Sequence, residues 1–268
     1  MMRASVFFPD RVRDLLGRQL NLLLLAAILA VWQVAVASGV LHNPAVPAPS
    51  AVVASLWHGI FGAGHLLARA TLDTLGRLLL GYAIALVVGC LLGLLAGRHD
   101  DLAAALNPLV ALWIPLPAIV TIPVLSLWLG AGQTVIVLTV IFSAWIPLYL
   151  GALQGARSVG TRQLWVARAH GVGAWGEMWH VVVPSALVQM IPALRVGMGY
   201  AWRAVIAAEI IVQQGRGLGV TIYAARQFFD VPMMYAGVAM IAILGLALER
   251  IAFPAMERVT IRRWGLAT

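Results

Sequence analysis

Three charged residues lie within one long apolar run between positions 186 and 212: Arg195, Arg203 and Glu209. A guanidinium near the centre of a lipid bilayer costs about 2.5–3.5 kcal/mol on insertion scales. At about 100° per residue, Arg203 is rotated by about 80° from Arg195, and Glu209 by about 120° from Arg203 in the opposite sense. Because the three do not share a face, each needs a partner on another helix, water or a solute. An anion-lined path and structural pairing between helices both stay open.

Two arginines receive separate expectations. Arg195 has no acid three or four residues away, so we expect its guanidinium to face water in a path for an anion. Pairing of Arg195 with backbone carbonyls or with a second copy of the chain is the alternative. Arg77 stands at the start of another apolar run, and we expect its side chain to extend towards the membrane surface.

Other chemistry has little support in the sequence. The single cysteine, Cys90, lies inside an apolar run, and the cysteine and histidines lack the spacing of a metal site. A membrane enzyme would need a titratable cluster at one depth, whereas the charges here are scattered. No G-x-x-x-x-G-K-[ST] phosphate loop occurs in these 268 residues. Hydrolysis of ATP, if it drives this protein, therefore belongs to another chain.

The segment WVARAHGVGAWGEMWHVVVP (165–184) has a different character from its apolar neighbours. Helical composition continues to His170, and Gly171 fits a left-handed helix cap. A second short helix carries one apolar stripe formed by Trp175, Met178, Trp179 and Val182. Pro184 suits the first turn of the following helix. An L-shaped helix pair of this kind could transmit force from a soluble partner, and an ordinary helical loop fits equally well.

Composition places the chain in a membrane. Hydrophobic residues make up 62% and charged residues 10%, against about 25% charged in soluble domains. The net charge of +8 comes from arginine, since the sequence has no lysine. These arginines fall between the apolar runs, which argues against binding of nucleic acid.

Six apolar segments are long enough to cross a bilayer, which needs about 20 residues. The third contains Pro115, Pro117 and Pro123 and must be kinked or broken. An uncleaved first helix is favoured over a secretory signal, because its apolar run exceeds the ~7–15 residues of a signal core. The expected fold is an all-α, six-span membrane bundle. The segments run from about 20 to 40, 78 to 96, 103 to 129, 134 to 153, 186 to 212 and 233 to 253.

Arginine placement predicts the orientation of the bundle. If six spans alternate, eleven arginines fall on one side, and Arg69, Arg216 and Arg226 on the other. We therefore expect a cytoplasmic N-terminal segment (1–19), a six-span membrane domain (20–253) with a cytoplasmic loop (154–185), and a cytoplasmic tail (254–268). Residues 42–71 would be external, with a short helix from Ser50 to Trp57. The eleven are Arg3, Arg11, Arg13, Arg18, Arg98, Arg157, Arg162, Arg168, Arg258, Arg262 and Arg263.

The 165–184 loop resembles the signature of ABC importer permeases, E-A-A-x(3)-G followed after nine residues by I-x-L-P. Ala167, Gly171 and Pro184 match it, whereas Trp165 stands at the glutamate position. In that family the loop docks on the ATP-hydrolysing subunit. The resemblance therefore implies a coupling loop that comprises Trp165, Val166, Ala167, Arg168, Ala169, His170, Gly171, Val181, Val183 and Pro184.

Three further segments resemble the sulfonate/nitrate/taurine branch of these permeases: PAPSAVVASLW (47–57), PLPAIVTIPVLSLWLGAG (115–132) and AWRAVIAAEIIVQQGRGLG (201–219). The resemblance implies a type I importer bundle in a bacterial inner membrane. Its implied partners are cytoplasmic ATPase subunits, a second permease copy and a periplasmic solute-binding protein. ATP and magnesium would bind to the ATPase, and no cofactor to this chain.

The solute stays open at this point. The branch implies a sulfonate, taurine, nitrate or a similar anion, and the candidate path comprises Pro115, Pro117, Arg195, Arg203 and Glu209. A permease for a thiamine precursor or another aromatic solute is an alternative. A stand-alone secondary transporter is a further alternative, but it leaves the L-shaped loop without a role.

Overall fold

The computed structural model describes residues 10–41 and 43–252, and it is helical throughout its regular structure. The predicted tail (254–268) and the first nine residues of the predicted N-terminal segment lie outside the described residues. Eleven α-helices follow one another within the described chain. They are α1 (Asp10–Ala37), α2 (Pro49–Phe61), α3 (Leu66–Arg98), α4 (Asp100–Trp113), α5 (Ala118–Leu129), α6 (Gln133–Arg157), α7 (Thr161–Ala169), α8 (Ala174–Glu177), α9 (Val183–Val212), α10 (Leu218–Gln227) and α11 (Val231–Ala247).

Four helical runs are long and apolar enough to cross a membrane: Leu66–Arg98, Gln133–Arg157, Ala174–Val212 and Val231–Ile251. They contain the second, fourth and fifth predicted spans and most of the sixth (233–253). The third prediction corresponds to α4 and α5, which pass the same test together as one bent pair. For the first span, the apolar part of α1 is Leu23–Ala37, which falls short of 18 residues. The all-α membrane fold is confirmed, and the count among described residues is four, or five with the bent pair.

The third span is broken where its first two prolines lie. The axes of α4 and α5 meet at 99°, and residues 114–117 between them are not helical. Pro115 and Pro117 account for this break, because a proline inside a helix lacks the N–H of one hydrogen bond and its ring clashes with the carbonyl four residues earlier. Pro123 lies inside α5 and does not end that helix.

Helices α3, α6 and α9 form the centre of the bundle through small residues. A Cβ atom at Gly89 of α3 would lie 2.7 Å from the carbonyl oxygen of Trp145 on α6. A Cβ atom at Gly155 of α6 would lie 2.8 Å from the Cβ of Ala186 on α9. Backbones that approach so closely gain dispersion contacts along their length, which is how helices associate in lipid.

The loop between the fourth and fifth spans differs from its predicted form at one point. Pro184 lies in the first turn of α9 as predicted, but α8 and a π-helical turn (Met178–Val182) join α9 without an intervening loop. The π-turn lies directly ahead of Pro184, and such a turn gives partners to backbone groups that a proline leaves without a bond. The short helix after the first span also differs, since it begins at Pro49 and Ser50 provides no cap.

Candidate functional site: a helical elbow, a proline-lined cavity and a buried carboxylate

Gly171 forms the elbow between α7 and α8. Its φ angle is +77°, the left-handed conformation predicted from the sequence. The Gly171 N–H donates to the Arg168 carbonyl at 2.9 Å, and the Val172 N–H donates to the Ala167 carbonyl at 3.1 Å. This pair of bonds is a Schellman motif, which satisfies the last carbonyls of α7 and requires the left-handed residue.

Glu177 holds the two arms of the elbow to the bundle. Its carboxylate accepts hydrogen bonds from Arg168 at 2.8 and 3.2 Å and from Arg98 at 3.2 Å. Arg168 belongs to α7 and Arg98 ends α3, so one buried acid joins three elements. Glu177 lies near the start of the long run Ala174–Val212 and ahead of the fifth span predicted from the sequence (186–212). The hydrogen bond from Arg168 lowers the pKa of this carboxyl, and the charges of both arginines act in the same direction.

The predicted apolar stripe, which runs from α8 into the π-helical turn, divides into two edges. Met178 and Val182 pack on the bundle, whereas Trp175 and Trp179 are 74% and 51% exposed. At about 100° per residue, the tryptophans lie on one edge of the stripe and the buried pair on the other. The two indole rings meet edge to face with centroids 5.8 Å apart. Only one edge of the predicted stripe therefore packs on the bundle, and the other edge is uncovered within the described chain.

The other predicted coupling residues lie around the same elbow. Trp165 and Val166 are exposed on α7, and Ala167 is buried against the bundle. The ring of His170 contacts the Val166 carbonyl of its own helix at 2.8 Å. Val181 and Val183 are partly buried against the core, and Arg168, Ala169 and Gly171 are exposed. The elbow thus presents an aromatic and aliphatic surface that the described chain does not cover.

A cavity of about 450 Å³ opens where the third span breaks. Pro115 and Pro117 line it, as does Trp113, whose ring centroid lies 5.1 Å from that of Phe142. Helix α9 contributes Val196 and Tyr200, and the hydroxyl groups of Thr121 and Ser143 are also in the wall. The proposal that the broken helix borders a path is consistent with this cavity, because irregular backbone at membrane depth is tolerated beside cavities.

Arg203 and Arg195 have different surroundings on α9. The Arg203 side chain donates to the Gly199 carbonyl at 3.0 Å, and its guanidinium lies 5.1 Å from the centre of the Tyr200 ring. Arg195 forms an ion pair with Glu249 at 3.6 Å, and both side chains are about half exposed. Glu249 belongs to a π-helical turn (Leu248–Ala252) that follows α11. The expectation of an unpaired Arg195 guanidinium is therefore wrong.

Glu209 is fully buried in a third, separate setting. Its carboxylate pairs with Arg77 and accepts hydrogen bonds from the Thr74 hydroxyl at 2.9 Å and the Gly219 N–H at 2.9 Å. The Thr74 hydroxyl also accepts from the Leu218 N–H at 2.9 Å. Arg77 is 7% exposed, so the expectation that it extends to the surface is wrong. The acid offsets the cost of burying this arginine.

Glycines allow the chain to close over this carboxylate. A Cβ atom at Gly217 would lie 2.5 Å from the Glu209 carboxyl carbon, and one at Gly219 would lie 2.7 Å from the Glu209 Cβ. The Gly217-x-Gly219 segment therefore encloses a carboxylate of its own chain. We call Thr74, Arg77, Glu209, Gly217 and Gly219 the carboxylate latch.

The structure does not bring the three predicted path residues together. Glu209 belongs to the carboxylate latch, Arg195 pairs with Glu249, and Arg203 lies beside the cavity. Sequence reasoning gave no role to Thr74, Glu177, Tyr200 or Glu249. Two signals were available: an acid in the predicted second short helix of the loop, and a glycine pair eight and ten residues after an acid within an apolar run.

The comparisons with known proteins agree on one kind of protein. The family model for the binding-protein-dependent transport system inner membrane component matches residues 85–253. The taurine transport system permease protein TauC of Escherichia coli (strain K12) is 29% identical over 87% of this chain and 86% of its own length. The putative aliphatic sulfonates transport permease protein SsuC of Bacillus subtilis (strain 168) is 28% identical over 88% of this chain and 84% of its own. The riboflavin transport system permease protein RibX of Chloroflexus aurantiacus is 29% identical over 92% of this chain and 90% of its own length.

Proposed function

Because the chain belongs to the family of binding-protein-dependent transport system inner membrane components, we propose that it forms the membrane path of an ATP-driven importer for a small organic anion of the sulfonate type. It is a permease, that is, a transport subunit rather than an enzyme. Its multi-pass helical fold follows from the same membership. The direction of transport, the solute and the coupling element are the parts that we propose.

The exposed elbow is the observation that carries the coupling role. Gly171 sets the angle between α7 and α8, Glu177 fixes both arms to the bundle, and Trp165, Trp175 and Trp179 point away from it. A rigid element with an uncovered aromatic surface suits docking to a soluble protein, since aromatic residues are enriched in binding hot spots. We propose a cytoplasmic ATPase as that partner, with ATP and magnesium bound there.

The remaining partners follow from the family description and from the geometry of the path. A binding protein outside the membrane would deliver the solute. A second copy of this chain would complete the path, because the cavity beside α4, α5 and α9 is open on one side in a single chain. The bacterial inner membrane is the proposed location, with both termini in the cytoplasm. The domain limits predicted from the sequence, with a membrane domain at 20–253, are also part of this proposal.

Relatives named for taurine and for aliphatic sulfonates support a sulfonate-type solute. The test is reconstitution of this chain with its cognate ATPase and binding protein in proteoliposomes. We expect accumulation of a labelled sulfonate that requires ATP inside and ceases when the ATPase is omitted. Accumulation driven by an ion gradient without the ATPase would contradict the proposal and favour a secondary transporter.

A second candidate solute is a larger aromatic compound. The observation that favours it is the aromatic wall of the cavity, formed by Trp113, Phe142 and Tyr200. One relative of comparable identity is named for riboflavin. Uptake of riboflavin, but of no sulfonate, in the same proteoliposomes would decide for this alternative.

A further inference from the structure

The cavity at the break of the third span has a wall without charge. Its described lining consists of apolar and aromatic side chains, with the hydroxyl groups of Thr121, Ser143 and Tyr200 as polar groups. The Thr121 hydroxyl is already bonded to the Ala118 carbonyl at 2.7 Å. At about 450 Å³ the cavity falls within the usual size range of small-molecule sites, about 300–1,000 Å³.

A cation stands beside this apolar wall. Val196, Tyr200 and Arg203 recur at intervals of four and three residues along α9, so they share one face of the helix. Val196 and Tyr200 line the cavity. The Arg203 guanidinium is kept at the Tyr200 ring, 5.1 Å from its centre, by the bond to the Gly199 carbonyl. An anion in the cavity near Tyr200 would therefore lie close to a positive charge.

The same wall is unfavourable for a positive charge. Among the described residues that line the cavity, none is acidic. An ammonium group that leaves water for such a cavity would lose its hydration without gaining a carboxylate partner. A very small, strongly hydrated anion would gain nothing from the apolar wall, whereas an alkyl or aryl group would gain from leaving water.

We propose that this cavity is a solute site that selects an organic anion with an alkyl or aryl body, held by the aromatic wall with its acid group towards Arg203. This inference rests on the proposed function, and it goes further by disfavouring taurine, whose ammonium finds no carboxylate among the described lining residues. Tyr200 and Arg203 are the residues that determine specificity. The selected class is thus an alkyl- or arylsulfonate or a compound of equivalent charge and shape.

The test measures binding to the full chain in phosphatidylcholine nanodiscs, without ATP or a binding protein. Radiolabelled benzenesulfonate is displaced by three competitors. Methanesulfonate has the acid group without the ring, and taurine has the acid group and an ammonium. Benzenesulfonamide has the ring without a charge. We expect benzenesulfonate to bind at least about tenfold more tightly than methanesulfonate or taurine. Equal affinity for taurine and benzenesulfonate would overturn the inference.

Two variants with matched controls locate the site. Val196→Trp should fill the cavity and abolish binding, whereas Val188→Trp, on an exposed part of α9 outside the cavity, should not. Arg203→Gln should lower the affinity for benzenesulfonate about tenfold and leave the affinity for benzenesulfonamide unchanged, because only the charged ligand loses a partner. Arg226→Gln, an exposed arginine on α10, is the control. Unaltered binding in Val196→Trp, or equal losses for both ligands in Arg203→Gln, would contradict the proposed site.

An anionic lipid shares the chemistry of an acid group on an apolar body. The binding measurement is therefore repeated in nanodiscs that contain phosphatidylglycerol. Unchanged benzenesulfonate affinity supports a solute site, and loss of binding through competition would assign the cavity to lipid and overturn the inference. Uptake in proteoliposomes is a separate readout. Transport of a sulfonate without this binding preference would leave the proposed function standing and remove the cavity site.

Discussion

At the scale of single residues, charged side chains of the same type have different roles because their surroundings differ. Glu209 and Arg77 are both buried and neutralise each other within the carboxylate latch, so they are structural. Arg203 is exposed and lies against a ring at the cavity. Glu177 joins α3, α7 and α8 at the elbow. Burial and partner, rather than residue type, separate the latch from the candidate path.

The first prediction concerns the carboxylate latch. Glu209→Ala leaves the buried Arg77 guanidinium without its acid, so we expect a loss of about 3–5 kcal/mol of stability. Arg77→Met combined with Glu209→Leu removes both charges and should recover much of that loss. Thermal unfolding of the purified chain in detergent measures both effects. Asp73→Ala is the control, because its pair with Arg216 is exposed and such pairs contribute about 0–1 kcal/mol. Additive losses in the double variant would contradict the pairing.

The second prediction concerns the elbow glycine. Gly171 has φ +77° and nothing within 4 Å of a Cβ atom, so Gly171→Val costs only backbone strain, about 1–2 kcal/mol. We expect loss of ATPase co-purification and uptake with normal membrane insertion. Gly173→Val is matched to it, since Gly173 is equally open but has an ordinary φ of −72°. Normal uptake in Gly171→Val would remove the coupling role from the elbow.

At the scale of elements, close backbone contact fixes the three central helices, and one ion cluster fixes the elbow. Helices α3, α6 and α9 approach through glycines that admit no side chain. The elbow is held by the ion cluster around Glu177 and by buried apolar residues of both arms, Leu164 on α7 and Val182 on the π-helical turn. The bundle centre is therefore expected to respond to added volume, and the elbow to lost charge.

Gly89 and Gly76 test the first of these expectations within one helix. Gly89→Leu would drive a side chain into the α6 backbone, and overpacking costs about 1–3 kcal/mol or more. Gly76→Leu meets nothing within 4 Å and should be tolerated. The melting temperature and the yield of monodisperse protein distinguish the two. Similar values for both variants would show that α3 and α6 are not in close contact at Gly89.

Glu177 tests the second expectation. Its pKa is lowered in the folded chain by Arg168 and Arg98, so its stabilising contribution is present above the pKa of an ordinary glutamate, about 4.3, and is lost as the pH falls through the lower folded value. Hydrogen exchange of α7 should therefore be the same at pH 8 and pH 6 apart from the intrinsic rate. Glu177→Gln should accelerate it at both pH values, whereas Asp100→Asn, in an exposed pair with Arg157, should not. Protection that weakens between pH 8 and pH 6 would contradict the lowered pKa.

At the scale of the whole molecule, the ion pairs assign the loops to two ends. Arg98 and Arg168 share Glu177 at one end, and Asp73 pairs with Arg216 at the other. Asp73 and Arg98 are separated along α3 by about 38 Å at the helical rise, enough to span the hydrocarbon core. The arginine excess predicts that the Glu177 end lies in the cytoplasm.

Cysteine labelling tests this orientation. In a Cys90→Ala background, single cysteines at 98 and 168 should be protected from an impermeant reagent in intact cells. Cysteines at 54 and 216 should react, because α2 and the loop before α10 would be external. Permeabilised cells provide the control, in which all exposed positions react. External labelling at position 168 would overturn the orientation and with it the coupling role.

Apolar run lengths, proline positions and the glycine of the elbow are local properties of the chain, so the sequence alone predicted the helical membrane fold, the broken third span and the left-handed Gly171. The resemblance to ABC importer permeases, confirmed by the family match, likewise depends on residues in order along the chain. The partners of charged residues are not local. Arg77 and Glu209 are 132 residues apart, and Arg195 meets Glu249 only because α9 and the turn after α11 are neighbours. Buried charges choose partners by proximity in three dimensions, so only the tertiary structure separated the carboxylate latch from the cavity beside Arg203.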